Sequence, residues 1–434
     1  MIDAIQYQAK KLAKPATHRR NIMGIHFFFN KKNPPFYFAI CTAIVIFFFI
    51  FNPQGLSFDY GSGNGRYADR ADSFSEYIVR NTIKRNILNK NDSSLLPILT
   101  KGYDDGDYAY YPDGYTKYRS NLIIQTIPAT ILAKIFRLNT EAELDRFFVI
   151  LRSGNALLFS VFLIGIFLHY CSIQKINLSF LVPFIIGTNA GFIYFSQNLY
   201  FSSFLIILPA YYISRQIYNN KHLNKFLILL FGCLYFLRGF EFSTIFALLT
   251  AASAALFTSG SLIKKAKAAS LVFSLICASF VIAILLHIFF VSLDTGLSVH
   301  DSVRDLFARI QHRTQSITGV PFPFGVQFIK VMHDRWGYPA FSISANGIAL
   351  SQQAIIIAMM LGLIFRFNKI TDNEKILYLY GFFGYASWYI FAYQHIMWHN
   401  MYDWYIFALT MGISFGLLLI FYLSLLIERF QHRT

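Results

Sequence analysis

The chain is polar and basic over its first 35 residues, and from there to its end long apolar runs alternate with polar connections. Ten runs stand out, at approximately 36–52, 147–170, 178–196, 199–217, 226–237, 242–258, 270–292, 348–367, 376–393 and 404–427. A bilayer core needs roughly 20 apolar residues per helix, so the pattern predicts an all-α polytopic membrane protein with about 10 transmembrane helices. The fifth run is too short to span alone and is expected to borrow from its neighbour. Two connections are long, 53–145 and 293–346. Within the first, Asn121 to Phe136 is apolar at most positions but short and interrupted by Pro128, which suits a helix lying in the membrane interface.

Composition agrees with this pattern. The 434 residues are 55% hydrophobic and 18% aromatic, with a mean hydropathy of +0.45, more apolar surface than a soluble domain of that size can bury. The net charge of +16 follows the positive-inside bias. Lys10, Lys11, Lys14, Arg19, Arg20, Lys31 and Lys32 precede the first run, and every second short connection is basic. These hold Lys175, then Arg215, Lys221 and Lys225, then Lys264, Lys265 and Lys267, then Arg366, Lys369 and Lys375, with Arg429 and Arg433 at the tail. An even number of crossings with both termini cytoplasmic satisfies all of them and puts both long connections outside. The expected organisation is a cytoplasmic basic segment, 1–35, and a single transmembrane domain, 36–434, without a cleaved signal peptide. No nucleic-acid partner is expected, because a basic groove with stacking aromatics needs a soluble surface. Cys41, Cys171, Cys233 and Cys277 lie in or beside apolar runs and form neither a disulfide framework nor a zinc pattern.

Candidate chemistry collects in the connections. The first long one holds 12 of the 22 acidic residues. Asp59 follows the first run by a few residues, where partial desolvation raises a carboxyl pKa toward that of a general base; Asp69 is the second choice, and a solvated turn of Gly61, Gly63 and Gly65 capped by Asp59 is the structural alternative. In the stretch YDDGDYAYYPDGYTKYR, Asp104, Asp105 and Asp107 offer oxygen ligands to a hard cation but lack the full period of a calcium loop. No cofactor is therefore assigned and a divalent cation stays open, beside a tyrosine-rich carbohydrate-facing loop. Arg238 and Glu241 lie three apart at a predicted membrane boundary; they either pair with each other, or Arg238 holds phosphate while Glu241 orients it. The second long connection carries Arg304, Arg309, Arg313, Lys330 and Arg335 with His300, His312 and His333, a cation surplus on the outer side. Late in the chain, QHIMWHNMYDW sets His395 and His399 four residues apart, which would put them on one face of a helix. Ile396 follows His395 where a zinc protease has glutamate, so the choice lies between an aromatic belt and the rim of a cavity where imidazoles meet phosphate.

Three stretches carry a family resemblance. RYADRADSFSEYIVR (Arg66 to Arg80) resembles the acidic segment after the first span of the aminoarabinose and related lipid-linked-sugar transferases. YRSNLIIQTIPATILAKIF is similar to the Tyr-x-Ser-Gln-x-Gly-Leu-Gln stretch of uncharacterised bacterial relatives, and SWYIFAYQHIMWHNMYDWYIF to their late histidine-rich segment. With the large first loop, these resemble the GT-C superfamily of membrane glycosyltransferases. The chain departs from that pattern at Gly63 and Asn64, where the family has adjacent acids, and at Asn121 and Ile124; Gln125 stands where the second glutamine belongs.

The resemblance implies an inverting glycosyltransferase that takes a sugar from a polyprenyl-phosphate donor on the extracytoplasmic face and passes it to a glycan or lipid-linked acceptor. Asp59 and Asp69 would be catalytic, and Arg119, Gln125, Arg238, Glu241, His395 and His399 would bind donor phosphate or substrate. A bacterial inner membrane is the expected location. The alternatives are a flippase or transporter of lipid-linked saccharides, which needs polar residues through the bilayer middle, and a surface polysaccharide polymerase or ligase.

Overall fold

A computed structural model describes residues 34–53, 73–89, 96–100, 114–314, 329, 333, 335–343, 349–392 and 402–431. The chain divides into two units, Met1–Tyr37 and Phe38–Thr434; of the first, residues 34–37 are described. Each of the ten apolar runs is helical over most of its length. The first gives α1 (Pro34–Phe51), and the connection after it contains α2 (Ser73–Leu88), a ribbon of β1 (Ile98–Thr100) and β2 (Tyr115–Lys117), and α3 (Thr126–Ile135). The following runs give α4 (Glu141–Ile173), α5 (Val182–Gly187), α6 (Ala190–Phe195), α7 (Phe204–Tyr218), α8 (Lys225–Arg238), α9 (Ser243–Phe257) and α10 (Leu262–Thr295). The second long connection contains α11 (Val299–Thr314) and β3 (Pro339–Ser342), which pairs with β4 (Ala349–Ser351). Then come α12 (Gln352–Arg366), α13 (Asp372–Phe391), α14 (Tyr402–Phe407), a π-turn at Ala408–Gly412, and α15 (Ile413–Gln431).

Among the described residues, three helical stretches are long and apolar enough to cross a membrane: Glu141–Ile173, Leu262–Thr295 and the continuous Tyr402–Gln431. The protein is an α-helical integral membrane protein. Its two short ribbons were not expected from the sequence, because strands of three or four residues leave no readable alternation.

Polar residues at run boundaries set where the helices start. Thr140 with Glu143 and Thr371 with Glu374 form reciprocal capping boxes at α4 and α13, and the side chains of Asn224 and Ser351 accept from the first turns of α8 and α12. The long α10 stops at Gly296, whose φ of 72° is a glycine conformation. Pro128 sits in the first turn of α3, where its missing N–H costs nothing. α3 leaves Ile127, Ile131, Leu132, Ile135 and Phe136 exposed as an apolar face.

The third and fourth runs differ most from their simple reading. In place of one helix over 178–196 there are α5 and α6, separated by Thr188 and Asn189. β3 enters that break: Ser342 N donates to the Thr188 carbonyl at 2.9 Å, and Asn189 bridges Phe341. The fourth helix begins at Phe204 where the hydropathy places it at 199. Residues 196–203 form an irregular, buried turn, held by the Asn198 side chain accepting from Tyr200 N at 2.9 Å and Phe201 N at 3.0 Å. Irregular backbone at membrane depth needs such internal partners. α8 and α9 likewise stay separate, joined by the tight turn 239–242 with Phe242 in the left-handed region at φ 61°.

Around these turns the core is aromatic. Phe195 stacks on Tyr405 with centroids 4.5 Å apart, and Phe242 packs against Trp388 at 5.0 Å and Tyr402 and Tyr405 at 5.3 Å. Such pairs contribute about 1 kcal/mol each beyond their buried area. Gly191 lets α6 touch the last span: a Cβ there would lie 2.0 Å from the Trp404 carbonyl oxygen.

The two long connections meet at one end of the helices. Lys117 Nζ lies 3.1 Å from Asp294 Oδ2 and donates to the Asp294 carbonyl at 2.8 Å, while Arg119 Nη1 is 3.8 Å from Asp305 Oδ1.

Candidate functional site

The turn between α8 and α9 is the centre of a buried polar cluster. α8 ends in Arg238, and the extended Gly239 sends the chain back so that Glu241 lies beneath it. A Cβ at Gly239 would fall 2.3 Å from Glu241 Oε2 and 3.3 Å from Asn121 Nδ2, so only glycine lets the carboxylate sit this close to the backbone. Glu241 Oε1 accepts from Asn121 Nδ2 and from the Tyr200 hydroxyl, each at 2.9 Å, and Asn121 Nδ2 lies 2.6 Å from the Tyr200 oxygen. Charge-assisted bonds of this kind are about twice as strong as neutral ones.

Three separate pieces of chain supply the cluster. Gln125 Nε2 donates to the Tyr200 carbonyl at 2.8 Å, and Ile124 N donates to the Leu237 carbonyl at 3.3 Å. The start of α3 is therefore pinned both to the irregular turn 196–203 and to the end of α8.

Arg238 is 1% exposed. Its guanidinium lies 4.7 Å from the Tyr235 ring centroid and 5.9 Å from that of Phe201, and Nη2 donates to the Glu241 backbone carbonyl at 3.4 Å. Tyr235 donates to the same carbonyl. The side-chain ion pair that the three-residue spacing allowed does not form; the Glu241 carboxylate is turned toward Asn121 and Tyr200. Among the described residues Nε and Nη1 of Arg238 have no hydrogen-bond partner, which is costly for buried N–H donors.

Two further buried ionic groups flank this centre. Glu76 of α2 accepts from Arg152 Nε at 2.7 Å and also from Arg152 Nη2, and its other oxygen accepts from Leu199 N at 3.2 Å. Asn155, one turn along α4 from Arg152, donates to the Asn198 carbonyl at 3.1 Å. On the other side Arg335, from the second long connection, pairs through Nε with Asp403 Oδ2 at 2.9 Å, and Tyr389 donates to Asp403 Oδ1 at 2.8 Å. Both charged side chains are buried.

Of the residues singled out from the sequence, Gln125, Arg238 and Glu241 converge here. Arg119 does not join them; it is half-buried beside Asp305, which Arg309 also holds at 2.8 Å. Asp59, Asp69, Asp104, Asp105, Asp107, His395 and His399 lie outside the described residues. Among the described residues no group of three or more His, Cys, Asp or Glu is gathered as metal ligands would be. Sequence reading missed Tyr200, the Arg335–Asp403 pair and the Glu76–Arg152 pair, and it noted Asn121 only as a departure from a motif. Asp403 and Asn198, polar residues inside or beside apolar runs, were the signal that pointed there.

No family model matches the chain, and no curated protein matches it. Among solved structures, it is similar to the archaeal oligosaccharyltransferase AglB from Archaeoglobus fulgidus in complex with an inhibitory peptide and a dolichol-phosphate, at 15% identity and a TM-score of 0.41, covering 91% of this chain and 51% of that one. An Archaeoglobus fulgidus oligosaccharyltransferase in complex with Zn and sulfate matches at 14% identity and a TM-score of 0.41, over 90% of this chain and 51% of that one. The chain thus spans about half the length of the structures it resembles.

Proposed function

We propose that the chain is a GT-C type glycosyltransferase that moves a sugar from a polyprenyl-phosphate donor to a glycan or lipid-linked acceptor on the extracytoplasmic side. The reading rests on one observation: Gln125 and the neighbouring Arg238 and Glu241, from two distant parts of the sequence, meet in a single buried cluster whose arginine keeps two N–H groups without a hydrogen-bond partner among the described residues. In the reaction a carboxylate, Asp59 or Asp69, takes the proton of the acceptor hydroxyl as its oxygen bonds the anomeric carbon. The bond from that carbon to the phosphate oxygen breaks, the configuration inverts, and polyprenyl phosphate departs with the electron pair. Arg238 supplies positive charge and N–H donors to the leaving phosphate. Glu241, fixed by Asn121 and Tyr200, sets the position of the turn that carries it. His395 and His399 would add donors at the rim.

The test uses purified protein in detergent with a labelled polyprenyl-phosphate sugar and a glycan extract. Transfer of label is expected, with loss in Asp59→Asn combined with Asp69→Asn and a fall in Arg238→Gln, at unchanged melting temperature for the aspartate variants. Full transfer in the double aspartate variant rules out the base assignment. Movement of label into vesicles with no covalent product supports a flippase in place of a transferase.

A further inference from the structure

α11 has an apolar stripe that the transfer reaction does not use. Residues 296–298 alone separate it from the membrane-crossing α10, whose exposed Leu285, Phe289 and Leu293 follow one helical face up to that junction. On α11, Val299, Val303, Leu306, Phe307 and Ile310 share a face. Leu306 at its edge is buried against the protein, together with Ser302, but Val299, Phe307 and Ile310 are 62%, 65% and 46% exposed. The helix is fixed from its opposite flank, where Asp305 holds Arg309 and Arg119, so the stripe is held open toward the surroundings of α10.

Charge along α11 is sorted with respect to that stripe. The exposed His300 and Arg304 follow one margin, whereas Asp301 and Asp305 fall on the far and protein-facing sides. A cationic margin beside an apolar stripe, directly after a membrane span, matches an anionic lipid surface. We propose that α11 lies in the bilayer interface, with Val299, Phe307 and Ile310 among the upper acyl chains and Arg304 at the level of the lipid phosphates.

The experiment uses the full chain in vesicles of phosphatidylcholine with a quarter of phosphatidylglycerol. Cys233 and Cys277 are replaced by alanine, since only Cys41 and Cys171 of the four native thiols are buried. Spin labels are placed singly through Val299→Cys, Asp301→Cys, Arg304→Cys, Phe307→Cys, Ala308→Cys and Ile310→Cys. Labels at 299, 307 and 310 are expected to collide with lipid-soluble oxygen, and those at 301, 304 and 308 with an aqueous nickel chelate. Arg304→Glu should then reduce the oxygen contact at 307 several-fold. Equal access of the chelate at all six positions overturns the proposal, as does protection of 299, 307 and 310 from both reagents, which would mean that protein covers the stripe. A stripe that stays inserted in Arg304→Glu overturns the role given to the arginine.

Discussion

Arg335→Met is the sharpest test of how the second long connection is held to the last span. The guanidinium lies 2.9 Å from the Asp403 carboxylate, with the two side chains 7% and 0% exposed, so the substitution leaves a buried carboxylate without its cation and, among the described residues, with the Tyr389 hydroxyl as its remaining partner. Stranding one member of a buried pair costs about 3–5 kcal/mol. With roughly 2 cal/mol/K of unfolding entropy per residue over 434 residues, the whole chain unfolds with about 0.9 kcal/mol/K, so a loss of about 4 kcal/mol lowers Tm by about 4 °C. Adding Asp403→Asn removes the stranded charge, and the new side-chain oxygen still accepts from Tyr389. The double variant is therefore expected to recover about 2 kcal/mol or more of the loss. Thermal unfolding in detergent, followed by tryptophan fluorescence, reads both values. A single variant within about 1 °C of the parent, or a double variant no better than the single, would refute the claim that charge compensation holds this junction.

Tyr200→Phe removes a donor to the Glu241 carboxylate and should cost about 1.5–3 kcal/mol, seen as a lower Tm and reduced label transfer; Asn121→Leu should act on the same carboxylate, and a double-mutant cycle should show the two effects to be coupled. Gly191→Ala forces α6 away from the Trp404 carbonyl and is expected to destabilise by about 1–3 kcal/mol in the same unfolding assay, whereas Gly154→Ala, where a Cβ meets nothing within 4 Å, should be tolerated. Asp301 is held below the usual carboxylate range, chiefly by the Ser298 hydroxyl and further by His300 and Arg304. A depressed carboxyl stabilises above its unfolded pKa and loses that contribution as pH falls through its folded value, so hydrogen exchange in the first turn of α11 should accelerate on the acid side of the carboxylate range and not between neutral and mildly basic pH.

Sequence by itself determined the solvent of this protein and the location of the helices in its apolar runs, though not of α2 and α11 in the long connections. Apolar runs long enough for a bilayer must become helices, because lipid offers no partner for an open backbone, and the capping threonines and asparagines at their ends mark the starts within a few residues. Gln125 was singled out by the family resemblance, whereas the same reasoning led us to expect an interfacial helix over 121–136 and picked out Arg238 and Glu241. It could not show that the third run breaks at Thr188 and Asn189, since hydropathy is indifferent to whether a backbone amide bonds within its own helix or to β3. Nor could it show that Glu241 would turn away from Arg238, three residues off, toward Asn121 and Tyr200. That choice, like the pairing of Arg335 with Asp403, belongs to tertiary structure: once a charge is buried its partner is whichever polar group the packing brings within about 3 Å, and separation along the chain says nothing about which one that is.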